Sequence, residues 1–123
     1  MRILKSSEDY LEAMLILEKQ HGYIRSIDIA QMLEVTKPSV SYAVKRLREN
    51  GYILMEKDGR ITLTETGLAI AARMYERHTL LTQFLLALGV SEETAREDAC
   101  KIEHDLSDET FEAMKTHAKK FQG

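Results

Sequence analysis

The feature that most constrains this chain is a change of apolar period at Asn50-Gly51. Upstream, apolar residues recur every three or four positions, the spacing of one helix face. Downstream lie two short β-prone runs, Tyr52-Ile53-Leu54-Met55-Glu56 and Arg60-Ile61-Thr62-Leu63-Thr64, on either side of Lys57-Asp58-Gly59. Asp-Gly between such runs signals a tight hairpin, because the turn needs positive φ and glycine adopts it cheaply. The upstream helices carry their own start signals. Ser6 or Ser7 is the expected N-cap of the first, with Glu8 and Asp9 at the positive end of its dipole, Leu11, Met14 and Leu15 at helical spacing, and Gly22 as its stop. Ser26 is expected to cap a short second helix with the apolar face Ile29, Ala30 and Leu33. Thr36 caps a third, with Pro38 in its first turn and Val40, Val44 and Leu47 on one face. Glu34-Val35-Thr36 is the short connection between the last two. Three helices with a tight turn, then a hairpin, is the order of a winged helix-turn-helix.

The remainder reads as helix only. A long helix runs from Thr64 or Glu65 to Leu88, closed by Gly89, and its end is rich in Leu80, Leu81, Phe84, Leu85 and Leu88. Ser91 caps the next helix, which is expected to run to about His104 or Leu106, and Ser107 caps the last, to about Phe121. The chain is thus expected to be mainly α, with a winged helix-turn-helix over residues 1–64 and a helical domain over 65–123. Two short helices on one long helix bury little by themselves, so the apolar end of the long helix is expected to pair with a second copy in a homodimer. At 44% hydrophobic and 30% charged residues, the composition is that of a globular, water-soluble protein. Its apolar runs are far shorter than the roughly 20 residues of a bilayer span, and Lys5-Ser6-Ser7-Glu8-Asp9 breaks up any signal-like apolar stretch. The single cysteine cannot pair within the chain, and a cytoplasmic protein with no membrane partner is expected.

Net charge is −3, which by itself speaks against a polyanionic partner. The charge is patterned, however. Between Thr36 and Arg48 stand Lys37, Lys45, Arg46 and Arg48 and no acid. With Val40, Val44 and Leu47 turned inward, the third helix offers Lys37, Ser39, Ser41, Tyr42, Lys45 and Arg46 outward, with Thr36 and Pro38 at its start. Hydroxyls and cations on a helix of this kind suit double-stranded DNA in the major groove. Arg25, before the second helix, and Arg60, in the hairpin, could neutralise backbone phosphates alongside.

A second set of residues has the chemistry of metal ligands. Asp9 and Glu12 are three apart, so both carboxylates leave one face of the first helix. Cys100, Glu103 and His104 offer thiolate, carboxylate and imidazole within one turn, a workable half-site for a divalent transition metal. His78 stands alone on the long helix, where a histidine is more often packed or solvated than a ligand, and His21 and His117 carry no ligand pattern.

In these residues the chain resembles the metal-dependent repressors of the diphtheria-toxin-repressor and manganese-transport-regulator type. The resemblance spans nearly the whole sequence. It rests on Ser7-Glu8-Asp9-Tyr10-Leu11-Glu12, Ile29-Ala30 with Leu33, Pro38-Ser39-Val40-Ser41, Leu63-Thr64-Glu65-Thr66-Gly67, Arg77-His78 and Ala99-Cys100-Lys101-Ile102-Glu103-His104. It implies a metal-binding and dimerisation domain after the winged helix, and a corepressor ion held by Asp9, Glu12, His78, Cys100, Glu103 and His104, with Glu12 and Glu103 able to bridge two subsites. It further implies a repressor that binds operator DNA and controls metal-uptake or homeostasis genes. Asp9 matches the manganese-sensing pattern, whereas Cys100 matches the iron-sensing one. Two carboxylates favour Mn²⁺ or Fe²⁺, and the thiolate admits Co²⁺ or Zn²⁺ as surrogates. Two other readings remain at this point: a winged-helix regulator of an organic ligand, and a small metalloenzyme built on Cys100, Glu103 and His104, for which no motif supplies a substrate pocket.

Overall fold

The computed structural model describes residues 4–122. In chain order its elements are α1 (Lys5–His21), α2 (Ser26–Leu33), α3 (Lys37–Glu49), β1 (Ile53–Met55), β2 (Ile61–Leu63), α4 (Glu65–Ala87), α5 (Glu92–Ile102) and α6 (Asp108–Gln122). They form two compact units, Met1–Tyr75 and Glu76–Gly123, with the division falling inside α4.

The first unit is the winged helix-turn-helix. Its core draws Leu11 and Met14 from α1, Ile29 from α2, Val40, Val44 and Leu47 from α3, and Ile53 and Ile61 from the hairpin. The period-3.6 and period-2 patterns thus converge on one apolar centre. Thr36 caps α3 as its position demands: its Oγ1 accepts from the Ser39 amide at 3.2 Å. The strands are antiparallel, with Ile53 opposite Leu63 and Met55 opposite Ile61. Their turn is closed by the Gly59 amide, which donates to the Glu56 carbonyl at 3.0 Å, and Gly59 takes the expected positive φ of 89°.

Two helix starts differ from the sequence expectation. Leu4 is the N-cap of α1, so Ser6 and Ser7 lie inside the helix, and Arg25 rather than Ser26 is the N-cap of α2; neither cap makes a side-chain bond. At α1 the opening turn faces water, with Leu4, Lys5 and Ser6 exposed. Solvated amides there need no serine oxygen, so nothing selects the serine as the boundary.

Where the hairpin meets α4 the chain is tightly folded back. Thr64 donates its amide to the Tyr52 carbonyl at 3.1 Å and its hydroxyl to the Gly51 carbonyl at 2.8 Å. Its Oγ1 also accepts from the Gly67 amide at 3.2 Å. A Cβ on Gly67 would overlap the same Tyr52 carbonyl. Glycine is therefore required here by close approach and not by backbone conformation.

In the second unit Leu81, Ala95, Ala99 and Phe111 are buried, as are the polar residues Arg77, Thr82, Glu103 and His104. Ser91 caps α5 and Ser107 caps α6, each hydroxyl oxygen accepting an amide three residues on. Helix α5 stops at Ile102, short of the expected His104 or Leu106. Phe84, Leu86 and Leu88 near the end of α4, and Ile102 on α5, are exposed in the single chain. No helix among the described residues is long and apolar enough to cross a membrane.

Replacing Gly67 with Ala should destabilise the protein by about 2 kcal/mol, because the Tyr52 carbonyl is already held and cannot swing away. A melting temperature lower by roughly 5–10 °C checks this; an unchanged one refutes the close-approach argument.

Candidate nucleic-acid interface and metal centre

The outer face of α3 is as the sequence predicts. Thr36, Lys37, Pro38, Ser39, Ser41, Tyr42, Lys45 and Arg46 are all exposed, while Val40, Val44 and Leu47 are buried beneath them. Tyr42 is 64% exposed, and the Arg46 guanidinium lies 5.8 Å from its ring centre. The Thr36 and Ser39 hydroxyls are 2.8 Å apart at the start of the helix. Arg60 is exposed in the hairpin and Arg25 half-buried beside it, with Arg25 Nη1 donating to the Asp58 carbonyl at 3.2 Å. The α3 residues therefore form one polar, basic face, and Arg25 and Arg60 are gathered at the hairpin turn.

Three acids of α1 are set apart from the exposed ones. Glu8 and Glu12 of α1 are buried and Asp9 is partly so. Arg73 Nη2 stands 3.6 Å from Glu8 Oε2. The ion pair explains how a carboxylate one position before Asp9 can be buried.

In the second unit Glu103 is the centre. It is completely buried. Its Oε2 lies 3.1 Å from Nδ1 of His78, and its Oε1 has no hydrogen-bond partner among the described residues, His104 Nε2 being 3.6 Å away. The structure therefore brings together three of the predicted ligands, His78, Glu103 and His104, and converts the solitary histidine of the long helix into a member of a cluster. Cys100, one turn earlier on α5, is exposed. Asp9 and Glu12 belong to the first unit. A buried carboxylate oxygen with no donor is costly, and a carboxylate beside an imidazole is a donor pair that a divalent transition ion takes. Glu103 and His78 fit such an ion as two of its donors.

Sequence reasoning passed over the residue that shapes the cluster. Arg77 is 3% exposed. Its Nη1 donates to the carbonyls of Glu103 at 3.0 Å and Leu106 at 2.8 Å. Its Nη2 bonds Asp108 Oδ1 at 2.6 Å, and its guanidinium stacks 5.3 Å from the centre of the Phe111 ring. Arg77 thus ties down the turn that follows α5, in which the Asp105 amide donates to the Ile102 carbonyl at 3.0 Å. The signal was present in the sequence, since Arg77 falls on the buried stripe of α4 between Met74 and Leu81, where a charge needs a reason.

An exposed basic helix above an apolar core is the working part of a DNA-binding regulator, and the second unit adds the chemistry of a metal sensor. Residues 2–61 match the iron dependent repressor N-terminal DNA binding domain, and residues 64–122 match the iron dependent repressor metal binding and dimerisation domain. The chain belongs to this iron-dependent repressor family, whose members are transcriptional regulators and not enzymes. It is 44% identical over 102 residues to the HTH-type transcriptional regulator MntR of Geobacillus kaustophilus, covering 83% of this chain and 72% of that one. An uncharacterized HTH-type transcriptional regulator of Methanocaldococcus jannaschii is 38% identical over 120 residues, 96% of either chain. The solved structure of the manganese regulator SloR superimposes with a TM-score of 0.82 at 30% identity, over 92% of this chain. This chain spans about half the length of that structure, 53%.

Replacing Arg77 with Leu should cost about 2–4 kcal/mol, because two carbonyls lose their donors at once. Asp108→Asn, altering the exposed end of the same network, should cost under about 1 kcal/mol. Urea unfolding distinguishes them, and equal losses would show that the carbonyl bonds carry no special weight.

Proposed function

We propose that this chain is a metal-responsive repressor that binds double-stranded operator DNA and controls metal-uptake or homeostasis genes in the cytoplasm, with Mn²⁺ or Fe²⁺ as corepressor. The observation that carries the reading is the Glu103 carboxylate, wholly buried, with one oxygen on His78 and the other lacking a hydrogen-bond donor among the described residues. His78, Glu103 and His104 would hold the ion, and Asp9, Glu12 and Cys100 are the further donors we assign from the resemblance. When bound, the ion supplies the positive charge that the clustered carboxylates lack. Manganese is supported by the naming of SloR as a manganese regulator. The mixed oxygen, nitrogen and sulfur donors also leave room for Fe²⁺, with Co²⁺ or Zn²⁺ as surrogates.

The other roles follow from the chain's own side chains. Ser39, Ser41, Tyr42, Lys45 and Arg46 of α3 would face the major groove, with Thr36, Lys37 and Pro38 at its mouth. Arg25 and Arg60 would neutralise flanking phosphates. A homodimer, paired through the exposed apolar end of α4, would present two such helices to successive major grooves, about 34 Å apart. An ion that binds one arrangement of the chain better than another would make DNA affinity depend on it, because a ligand acts through such a preference.

Glu103→Ala and His104→Ala should each remain folded dimers yet lose the metal-dependent part of operator binding, expected to be about 5- to 150-fold in the unaltered protein. Anisotropy titrations with labelled operator, with MnCl₂ or with EDTA, measure it. Thermal melts give an independent readout: MnCl₂ at one hundred times its Kd should stabilise the unaltered protein by about 2.7 kcal/mol and Glu103→Ala hardly at all. If either variant still responds to Mn²⁺ with the full change, the ligand assignment is wrong.

A further inference from the structure

The hairpin carries a side-chain cluster that the metal-responsive reading does not use. The Ile61 amide donates to the Ile24 carbonyl at 2.9 Å, so the segment before α2 runs along β2 as a short third strip of backbone. In an extended segment, residues two apart share a face. Tyr23 and Arg25 are so placed, and their contacts agree: the Arg25 guanidinium is 5.9 Å from the Tyr23 ring centre. Arg60 reaches the same ring from the hairpin, at 5.8 Å, and His21 stands at 5.9 Å, ring to ring. Tyr23 is 40% exposed.

Two guanidiniums on one aromatic ring repel each other, and the ring's electron-rich face offsets this by attracting both. An acid, Asp58, lies among them. Asp58 Oδ2 is 3.3 Å from Arg60 Nε, Asp58 Oδ1 accepts from the Arg60 amide at 3.1 Å, and the Asp58 carbonyl accepts from Arg25. Both side chains of the Arg60–Asp58 pair are 55% exposed, so water weakens that bridge. A phosphate, which a guanidinium can grip through two parallel bonds, competes well with such a carboxylate.

We propose that Tyr23 is a positioning residue for DNA, its ring holding Arg25 and Arg60 together as one clamp for a backbone phosphate, and that Asp58 is the counter-charge Arg60 exchanges for that phosphate. The proposal rests on the DNA-binding reading above. It makes the hairpin turn a preorganised element: the cost of bringing two long cations together is met in the free protein, and the acid keeps the pair from gripping DNA at full strength until phosphate displaces it.

The test is anisotropy of a labelled random-sequence 24-base-pair duplex with the full chain in MnCl₂, over a KCl series. Non-specific duplex binding isolates phosphate contacts, since log K falls with log[salt] by about 0.9 per phosphate neutralised. Tyr23→Phe keeps the ring and should bind within about twofold of the unaltered protein. Tyr23→Leu keeps the apolar bulk without the ring face; it should bind about fivefold more weakly, with a salt slope shallower by about one. Asp58→Asn keeps the oxygen that accepts the Arg60 amide but removes the charge, and should tighten binding about threefold. If Tyr23→Leu and Tyr23→Phe bind alike, or Asp58→Asn binds more weakly, the clamp is overturned while the DNA-binding reading stands. If the unaltered protein fails to bind the duplex at low salt, the DNA-binding reading itself falls, and the clamp with it.

Discussion

The helical unit is organised by one buried guanidinium. The turn that follows α5 carries a buried carboxylate, and its backbone carbonyls need donors there. Arg77 solves the problem from α4 by donating to the carbonyls of Glu103 and Leu106. Glu103 is thereby fixed twice, through its carbonyl by Arg77 and through its carboxylate by His78, the next residue of α4. Consecutive residues of one helix thus hold the backbone and the side chain of the same glutamate. A lysine could not replace Arg77, because a point charge on a flexible stem cannot span two carbonyls and the Asp108 carboxylate at once. Asp108 is in turn the first residue of α6, where a negative charge is favoured by the helix dipole.

Much of this was legible in the chain's own pattern. The period change at Asn50-Gly51, the Asp58-Gly59 turn and the caps Thr36, Ser91 and Ser107 each encode a local requirement that no tertiary contact overrides, and the structure has all of them. The starts of α1 and α2 were misplaced by one or a few residues, since a serine near a helix start is only a preference, and exposed amides at α1 do not enforce it. What holds the turn after α5 was not legible, because Arg77 lies 26 positions from Glu103 in sequence. The same distance concealed the pairing of His78 with Glu103: taken alone, a histidine on a long helix has no partner that spacing can reveal. Cys100 illustrates the reverse case. A lone cysteine suggests a small buried hydrophobe, yet Cys100 is exposed.

Net charge misleads for a related reason. The first seventy residues carry as many acids as bases, yet α3 has a basic outer face. The basic face is local: Glu18, Glu34, Glu49, Glu56, Asp58 and Glu65 are exposed too, but none lies between Thr36 and Arg48. Glu8 and Glu12 are withdrawn into the unit, and Glu8 is offset by Arg73, whereas Lys37, Lys45, Arg46 and Arg48 all face solvent. A field that depends on a few exposed cations is short in range, falling off within about 8–10 Å at ordinary salt. It acts where α3 meets a polyanion and contributes little to attraction from afar.

The Glu103 oxygen that has no partner among the described residues sets the scale of any switch built on it. Leaving a buried acceptor without a donor costs about 1–3 kcal/mol, more when the group is charged. Coupling between an effector and a distant ligand is typically about 1–3 kcal/mol as well. One carboxylate held in an incomplete environment is therefore enough to drive a response of the usual size, provided that the ion relieving it favours one arrangement of the chain. No large store of strain is needed. The features that matter are burial, which makes the missing partner costly, and Arg77, which keeps the turn carrying Glu103 from unwinding to let water relieve the carboxylate instead.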